Sequence, residues 1–177
     1  VQHRKETGVY WLDNNQYVFT ALHHVHSQMY TGDKTGVKLV DDQPREVYDF
    51  DVVNSHTVAL SVSKQDKPSE LVHLDVNGGT EKALYNPNAE YEKNHTYTSP
   101  KHFNYKAKDG QDLEGWYLPP VEAKAKNPVL LYVHGGPHAA YGESFFFEFQ
   151  VYTTLGYGVV FVNPRGSTTY GQAFVDD

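Results

Sequence analysis

Residues 128–142 read "PVLLYVHGGPHAAYG", and this stretch decides the fold. An apolar run from Val129 to Val133 leads directly into a histidine, two glycines and a proline, the pattern of a buried strand that ends in a tight turn. Glycine leaves backbone N–H groups uncovered, so a ligand or a reacting atom can approach them closely. The stretch therefore predicts a strand whose end carries an anion-stabilising loop.

The residues that follow predict a helix and a second buried strand. Residues 144–156 read "SFFFEFQVYTTLG", and residues 157–164 read "YGVVFVNP". Apolar strands separated by a helix are typical of a parallel α/β sheet. A right-handed crossover places the glycine loop at the carboxyl end of its strand, the edge where α/β sheets bind ligands. Upstream, Asp109-Gly110 predicts the tight turn of a hairpin between residues 102–108 and 113–120.

Up to about residue 95 the sequence consists of short alternating strands separated by turn residues. Seven are predicted, at residues 16–22, 27–33, 37–42, 47–53, 57–63, 70–76 and 81–86. The pattern repeats after about 40 to 44 residues, the length of a four-stranded propeller blade. An ordinary antiparallel meander is the alternative interpretation.

Composition excludes several classes of function. The 177 residues carry a net charge of −7, which disfavours general attraction to nucleic acid or to an anionic membrane. No apolar run approaches the roughly 20 residues that span a bilayer. The absence of cysteine excludes disulfides, thiolate metal sites and cysteine catalysis within the chain. We expect no cofactor; the compartment stays open, with a cytoplasmic location favoured.

Both ends of the sequence suggest a segment of a longer protein. The chain begins at Val1 with no signal-peptide pattern, and "GQAFVDD" ends it without a closing element.

Four segments in order resemble the start of the α/β-hydrolase domain of the prolyl oligopeptidase family of serine peptidases, in its acylaminoacyl-peptidase and dipeptidyl-peptidase branches. They are "DGQDLEGWYLPP" (109–120), "PVLLYVHGGPHAAYG" (128–142), "FQVYTTLGYGVVFVNPRGS" (149–167) and "TTYGQAF" (168–174). The resemblance implies an all-β part, the C-terminal blades of a β-propeller, at residues 1–95. It implies the N-terminal part of an α/β-hydrolase catalytic domain at residues 96–177.

Members of this family use a serine, histidine and aspartate triad, with the serine in a Gly-x-Ser-x-Gly elbow. The elbow is absent from the sequence, and the nearest approach is Gly142-Glu143-Ser144-Phe145-Phe146. The family's elbow follows the fourth segment by a few tens of residues, so we expect the nucleophile beyond Asp177. Because the family's base follows its nucleophile, none of the ten histidines is expected to be that base.

The glycine loop carries the site residues that the resemblance implies. The N–H of Gly136 would be one oxyanion donor, with Gly135 as the alternative donor. The second donor would come from the residue after the absent serine. His134 is expected to order the loop by hydrogen bonding. Without the resemblance, the same glycines would indicate only a tight turn that needs positive φ.

Other conspicuous residues are expected to be structural. Arg165 follows a core strand and should pair with neighbouring carbonyls or acids. At most one of the phenylalanines of the predicted helix is assigned to the active site, the four being Phe145, Phe146, Phe147 and Phe149. Trp116 and Tyr117 are interpreted as packing residues.

The run His23-His24-Val25-His26 would place His24 and His26 on one face of a strand. Because the pattern has no third ligand or nearby carboxylate, we interpret the run as a surface strand and predict no metal site.

The sequence thus predicts a serine-type peptidase, with aminopeptidase among the expected activities, whose parent protein hydrolyses short or N-acylated peptides through an acyl-enzyme. The chain alone is expected to be inactive. An esterase of the same fold and a non-catalytic binding or interaction module are the alternatives. The oligomeric state and the peptide bond cleaved are left open.

Overall fold

The computed structural model describes residues 8–136 and 138–176, and their strands form three four-stranded sheets. The first sheet is an antiparallel meander in which each strand pairs with the next along the chain. Its strands are β1 (Tyr10–Trp11), β2 (Tyr17–His23), β3 (His26–Asp33) and β4 (Gly36–Asp41).

The second sheet repeats this arrangement. Its strands are β5 (Glu46–Asn54), β6 (Thr57–Lys64), β7 (Lys67–Asp75) and β8 (Glu81–Tyr85). They also pair antiparallel in chain order. β2 begins at residue 17 and β6 at residue 57, so the two are 40 residues apart. The seven predicted strands and their repeat are confirmed, and the short β1 is an additional strand.

The first two sheets share one apolar core. Val18 and Met29 from the first sheet and Leu60 and Leu74 from the second are fully buried in a single cluster. Their positions follow from strand alternation, because every second side chain points to the same face. Burial of this shared face packs the two meanders against each other.

A buried ion cluster adds a polar link between the same two sheets. Arg45, which is 1% exposed, lies in the connection between β4 and β5. Its Nε and Nη2 donate to Asp41 Oδ2 at 3.0 and 2.6 Å, and its Nη1 donates to Glu81 Oε2. Because Asp41 ends β4 and Glu81 begins β8, one guanidinium joins both sheets.

The third sheet is mixed and is preceded by a short helix, α1 (Ala89–Glu92). It contains β9 (Lys101–Lys106), β10 (Asp112–Leu118), β11 (Val129–Val133) and β12 (Gly158–Asn163), with helices α2 (Phe147–Thr154) and α3 (Gln172–Val175). The strand order is β11-β12-β10-β9. β11 and β12 pair parallel across α2, while β10 pairs antiparallel with both β12 and β9. The predicted hairpin and the parallel strand pair are confirmed.

A second apolar cluster packs the third sheet. Trp116, Phe149 and Phe161 are each 3% exposed or less, and Trp116 stacks on Phe161 with ring centroids 5.3 Å apart. Val25, from the turn between β2 and β3, belongs to this cluster as well. The first sheet therefore contributes a side chain to the core beneath the third.

Buried amides join the second sheet to the third. Gln150 of α2 donates through Nε2 to the carbonyl oxygens of Gln65 and Thr98, at 3.2 and 3.0 Å. Gln65, in the turn between β6 and β7, donates through Nε2 to the Gly142 carbonyl at 2.8 Å. The position of Gly142 is thus linked to the second sheet.

Two expectations for this region are wrong. The helix begins at Phe147 and not at Ser144, since Phe146 has an extended backbone and the Phe145 N–H donates to Ser63 Oγ of β6 at 3.3 Å. β11 is not buried on both faces: Val129, Leu131 and Val133 are 55%, 66% and 55% exposed. β11 forms an edge of the sheet, and α2 covers its other face.

The longest helix in the described part of the chain is α2, with 8 residues. None of the helices there is long and apolar enough to cross a membrane.

Candidate active site

A cavity of about 700 Å³ lies where the three sheets meet. The loop between β11 and α2, residues 134–142, is here called the glycine loop. Its residues His134, Gly136 and 138–142 form one wall, and the aromatic segment 144–148 forms a second. The turn between β2 and β3, Glu46 at the start of β5, and residues 168–169 complete the lining. The cavity therefore lies at the carboxyl end of the parallel strands, the edge predicted for ligand binding.

The glycine loop depends on Gly136 more than on Gly135. Gly136 has φ +146°, and a Cβ added there would lie 3.0 Å from the His138 nitrogen. Gly135 has no such φ, and no described heavy atom lies within 4 Å of its added Cβ. Among residues 8–136 and 138–176, neither glycine donates its N–H to a backbone carbonyl. Of the two glycines, Gly136 lines the cavity and Gly135 does not.

His134 connects the glycine loop to the segment after β12. Its Nε2 lies 2.8 Å from Ser167 Oγ, and that hydroxyl donates to the Pro164 carbonyl at 2.5 Å. Because the Ser167 proton is already used, the His134 Nε2–H donates to Ser167 Oγ. The ring also lies edge-on to Tyr141, with centroids 5.6 Å apart.

The sequence did not indicate the role of Asn163, the last residue of β12. This side chain is 0% exposed and hydrogen-bonds to both the N–H and the C=O of Tyr141. The available signal was a polar residue at the end of an otherwise apolar strand, two positions before the more conspicuous Arg165.

The aromatic segment contributes more to the cavity than expected. Phe145, Phe146 and Phe147 all line it, whereas at most one phenylalanine was assigned to the site. Phe149 is 3% exposed and packs in the core of the third sheet. Phe145 and Phe146 precede α2, so their side chains do not follow the helical repeat, and Phe147 is the first residue of the helix.

The histidine run is a turn and not a strand. His24 and Val25 form the tight turn between β2 and β3, and His23 pairs with His26 across the hairpin. His24 has φ +52°, lines the cavity, and lies edge-on to Tyr170 with ring centroids 5.5 Å apart. Within the described residues, no three His, Asp or Glu side chains converge as metal ligands.

A second residue with positive φ faces the same cavity. Thr169 has φ +81°, a conformation that is strained for a β-branched residue. Its Oγ1 is buried and has no hydrogen-bond partner among the described residues. Such backbone strain costs on the order of 1–3 kcal/mol and persists only where the surroundings impose it.

Arg165 and Trp116 have the structural roles that were predicted. The Arg165 guanidinium pairs with Asp109 in the hairpin turn between β9 and β10. Trp116 is 3% exposed in the second core, and Tyr117 packs over Gly158. Neither Arg165 nor Trp116 lines the cavity.

Burial raises the pKa of Glu143 from 4.5 to about 7. Its carboxylate lies 3.7 Å from His26 Nδ1, and burial lowers the pKa of that histidine. Between pH 4.5 and 7, the folded chain holds a proton on Glu143 that the unfolded chain has lost. Glu143 therefore lowers the free energy of unfolding as the pH rises through this window.

The variant Glu143→Gln should remove this pH dependence. We therefore compare the free energy of unfolding of the variant with that of the native protein. The difference, variant minus native, should increase by up to about 3 kcal/mol between pH 5 and pH 8. Urea denaturation at several pH values measures the difference. Glu90→Gln is the control, since Glu90 is 87% exposed and should give a flat difference. A flat profile for Glu143→Gln as well would contradict the raised pKa.

Comparisons with known proteins agree with this architecture. The profile of the Prolyl oligopeptidase family matches residues 143–177. A protein of Bacillus subtilis (strain 168) named "Uncharacterized peptidase YuxL" is 43% identical over 123 residues, which are 68% of this chain and 18% of that relative. The chain therefore spans about a fifth of the length of this relative.

Solved structures resemble nearly the whole chain. Pyrococcus horikoshii acylaminoacyl peptidase superposes with a TM-score of 0.82 at 31% identity, over 96% of this chain and 27% of that one. An acylaminoacyl peptidase in complex with Z-Gly-Gly-Phe-chloromethyl ketone gives 0.82 at 30% identity, with the same coverage. From these matches and from the glycine loop at the end of a parallel strand, we conclude that the chain belongs to the prolyl oligopeptidase family.

Proposed function

We propose that this chain is part of a serine peptidase that hydrolyses short peptides through an acyl-enzyme. The observation that carries the proposal is Gly136, which lines the cavity at the carboxyl end of β11. A backbone N–H in this position can stabilise the oxyanion that forms when a nucleophile attacks a carbonyl. Gly135 is the alternative donor, and the hydrogen bond from His134 to Ser167 would order the loop.

We assign residues 1–95 to the C-terminal blades of a β-propeller and residues 96–177 to the start of an α/β-hydrolase domain. The two repeated meanders support the first assignment, and the parallel pair β11 and β12 supports the second. The cavity between them would receive the substrate. This division also explains why the first sheet contributes His24 and Val25 to the cavity wall.

The triad would lie outside these 177 residues. The sequence has no Gly-x-Ser-x-Gly elbow, and the chain covers 18% and 27% of two relatives named as peptidases. We therefore expect the 177-residue chain to be inactive by itself. A cytoplasmic location stays a prediction.

The substrate would be a short or N-acylated peptide. One structurally similar acylaminoacyl peptidase is in complex with a peptidyl chloromethyl ketone, which supports peptide binding in this fold. The apolar wall of Phe145, Phe146 and Phe147 would accommodate large side chains.

A fluorophosphonate probe, which reacts with activated serines, tests the proposal on the parent protein produced from its complete reading frame. We expect labelling of one serine outside residues 1–177, together with hydrolysis of peptide amides. Labelling with hydrolysis of acyl esters alone would favour an esterase. A folded parent protein that is not labelled would favour a non-catalytic module. The 177-residue chain is the matched control and should not be labelled.

A further inference from the structure

The glycine loop is held at three points, two near its ends and one between them. At its beginning, His134 hydrogen-bonds to Ser167. Near its end, Tyr141 is held by Asn163. Between these points Ala139 accepts a hydrogen bond from the Thr168 N–H at 2.9 Å. All three contacts come from the segment that begins at the end of β12, so this segment sets the path of the loop.

Asn163 makes the most extensive of these contacts. Its Oδ1 accepts from the Tyr141 N–H at 2.8 Å, and its Nδ2 donates to the Tyr141 C=O at 2.9 Å. One side chain thus pairs with both backbone groups of Tyr141, as a neighbouring strand would. Because the amide is 0% exposed, water cannot replace either bond without opening the site.

The orientation of the Asn163 amide is fixed by a further partner. Nδ2 also donates to the Tyr170 hydroxyl at 2.7 Å, and that hydroxyl donates to Glu114. Both protons of the amide nitrogen are therefore used, while Oδ1 faces an N–H. A carboxylate at this position would place an oxygen against the Tyr141 carbonyl oxygen, with no proton between them.

The conformation of Gly136 leaves the loop little freedom to rearrange around it. Its φ of +146° already lies in a region that only glycine adopts readily, and Gly136 lies five positions before Tyr141. A shift of about 1 Å in a catalytic group can lower a rate about 100-fold. The direction of the Gly136 N–H therefore depends on the anchor at Tyr141.

We propose that Asn163 is a positioning residue that holds the glycine loop so that the Gly136 N–H points into the cavity. This inference rests on the proposed function of Gly136 as an oxyanion donor. Asn163 does not line the cavity and would act only through the backbone of Tyr141.

The variant Asn163→Asp in the parent enzyme tests the inference. We expect kcat to fall by about 10- to 100-fold while KM stays within about threefold, because the substrate cavity keeps its lining. A peptidyl boronate, which forms a tetrahedral adduct, should bind more weakly by a similar factor. A residue with only a structural role would lower the thermal stability without changing this affinity in the folded enzyme.

Asn127→Asp is the matched control. Asn127 also bridges two backbone segments of the third sheet, accepting from the Lys124 N–H at 2.8 Å and donating to the Gly156 C=O at 3.2 Å. It lies near the opposite end of β11, away from the cavity. We expect it to lose stability while its kcat stays within about twofold of the parent.

The variants separate failure of this inference from failure of the proposed function. If Asn163→Asp keeps the parent kcat while Gly136→Ala loses it, the role of Asn163 is overturned alone. If both keep it, the oxyanion role of Gly136 fails and the inference fails with it. Should Asn163→Asp not fold, Tyr170→Phe removes one partner of the amide and is expected to lower kcat about threefold to tenfold. An unchanged kcat in that variant would overturn the inference.

Discussion

Replacing Arg45 with methionine is expected to lower the free energy of unfolding by about 3–5 kcal/mol. The guanidinium is 1% exposed and binds two carboxylates, one from each of the first two sheets. Methionine fills similar space but leaves the Asp41 carboxylate buried without its cation. Removal of one partner from a buried ion cluster is costly because the remaining charge cannot regain water.

Chemical denaturation of the native protein and of Arg45→Met measures this loss. Lys106→Met is the matched control, since Lys106 and Asp112 form a pair whose side chains are 66% and 78% exposed. An exposed pair contributes about 0–1 kcal/mol, so that variant should unfold nearly as the native protein does. If Arg45→Met does not fold, the free energy of unfolding of Arg45→Lys is measured instead. Lysine keeps the positive charge but loses the paired hydrogen bonds, so a partial loss is expected. Equal losses for Arg45→Met and Lys106→Met would contradict the importance of the buried cluster.

The variant Gly136→Ala is expected to lower kcat of the parent enzyme by about 100- to 1,000-fold. An alanine Cβ would lie 3.0 Å from the His138 nitrogen, and φ +146° is unfavourable for alanine. The loop must therefore rearrange, and the proposed oxyanion donor is displaced from the reacting carbonyl. KM should change much less, because the aromatic wall of the cavity is untouched.

Gly78→Ala serves as the matched control. It adds the same methyl group in the turn between β7 and β8, where the nearest atom is Thr80 Oγ1 at 3.7 Å, no positive φ is required, and the residue does not line the cavity. Its kcat should remain within about threefold of the parent enzyme. Steady-state kinetics on a peptide amide measure both variants, with thermal melting to confirm folding. A folded Gly136→Ala enzyme with the parent kcat would contradict the oxyanion role, and an equal loss in Gly78→Ala would show that the effect is not specific to the glycine loop.

Local patterns were sufficient to predict the order of the elements. Alternating side chains and intervening turn residues located the strands of the first two sheets, and Asp109-Gly110 marked the hairpin of the third. These signals lie within a few residues of one another, so they can be seen in the sequence. The glycine loop was located for the same reason, because a strand that ends in Gly135-Gly136 is a local pattern.

Contacts between distant residues were not predictable in this way. The helix was expected to begin at Ser144, but the Phe145 N–H is held by Ser63, which lies 82 positions earlier. The histidine run was interpreted as a strand, although the hairpin pairing of His23 with His26 makes it a turn. In both places a contact between residues, and not the local sequence pattern, determined the backbone structure.

The strands, the parallel α/β pair and the glycine loop could be predicted from the sequence alone, because hydrophobic periodicity and turn residues act over short distances. The burial of Arg45 between two sheets could not, because this residue lies in a polar, turn-like stretch and its partners come from two sheets. Tertiary packing also brings the aromatic segment beside the turn between β2 and β3, where both line the cavity. It brings the Asn163 side chain within hydrogen-bond distance of the Tyr141 backbone. The physical reason is that burial and hydrogen-bond partners depend on which surfaces pack together, and those surfaces come from segments far apart in the chain.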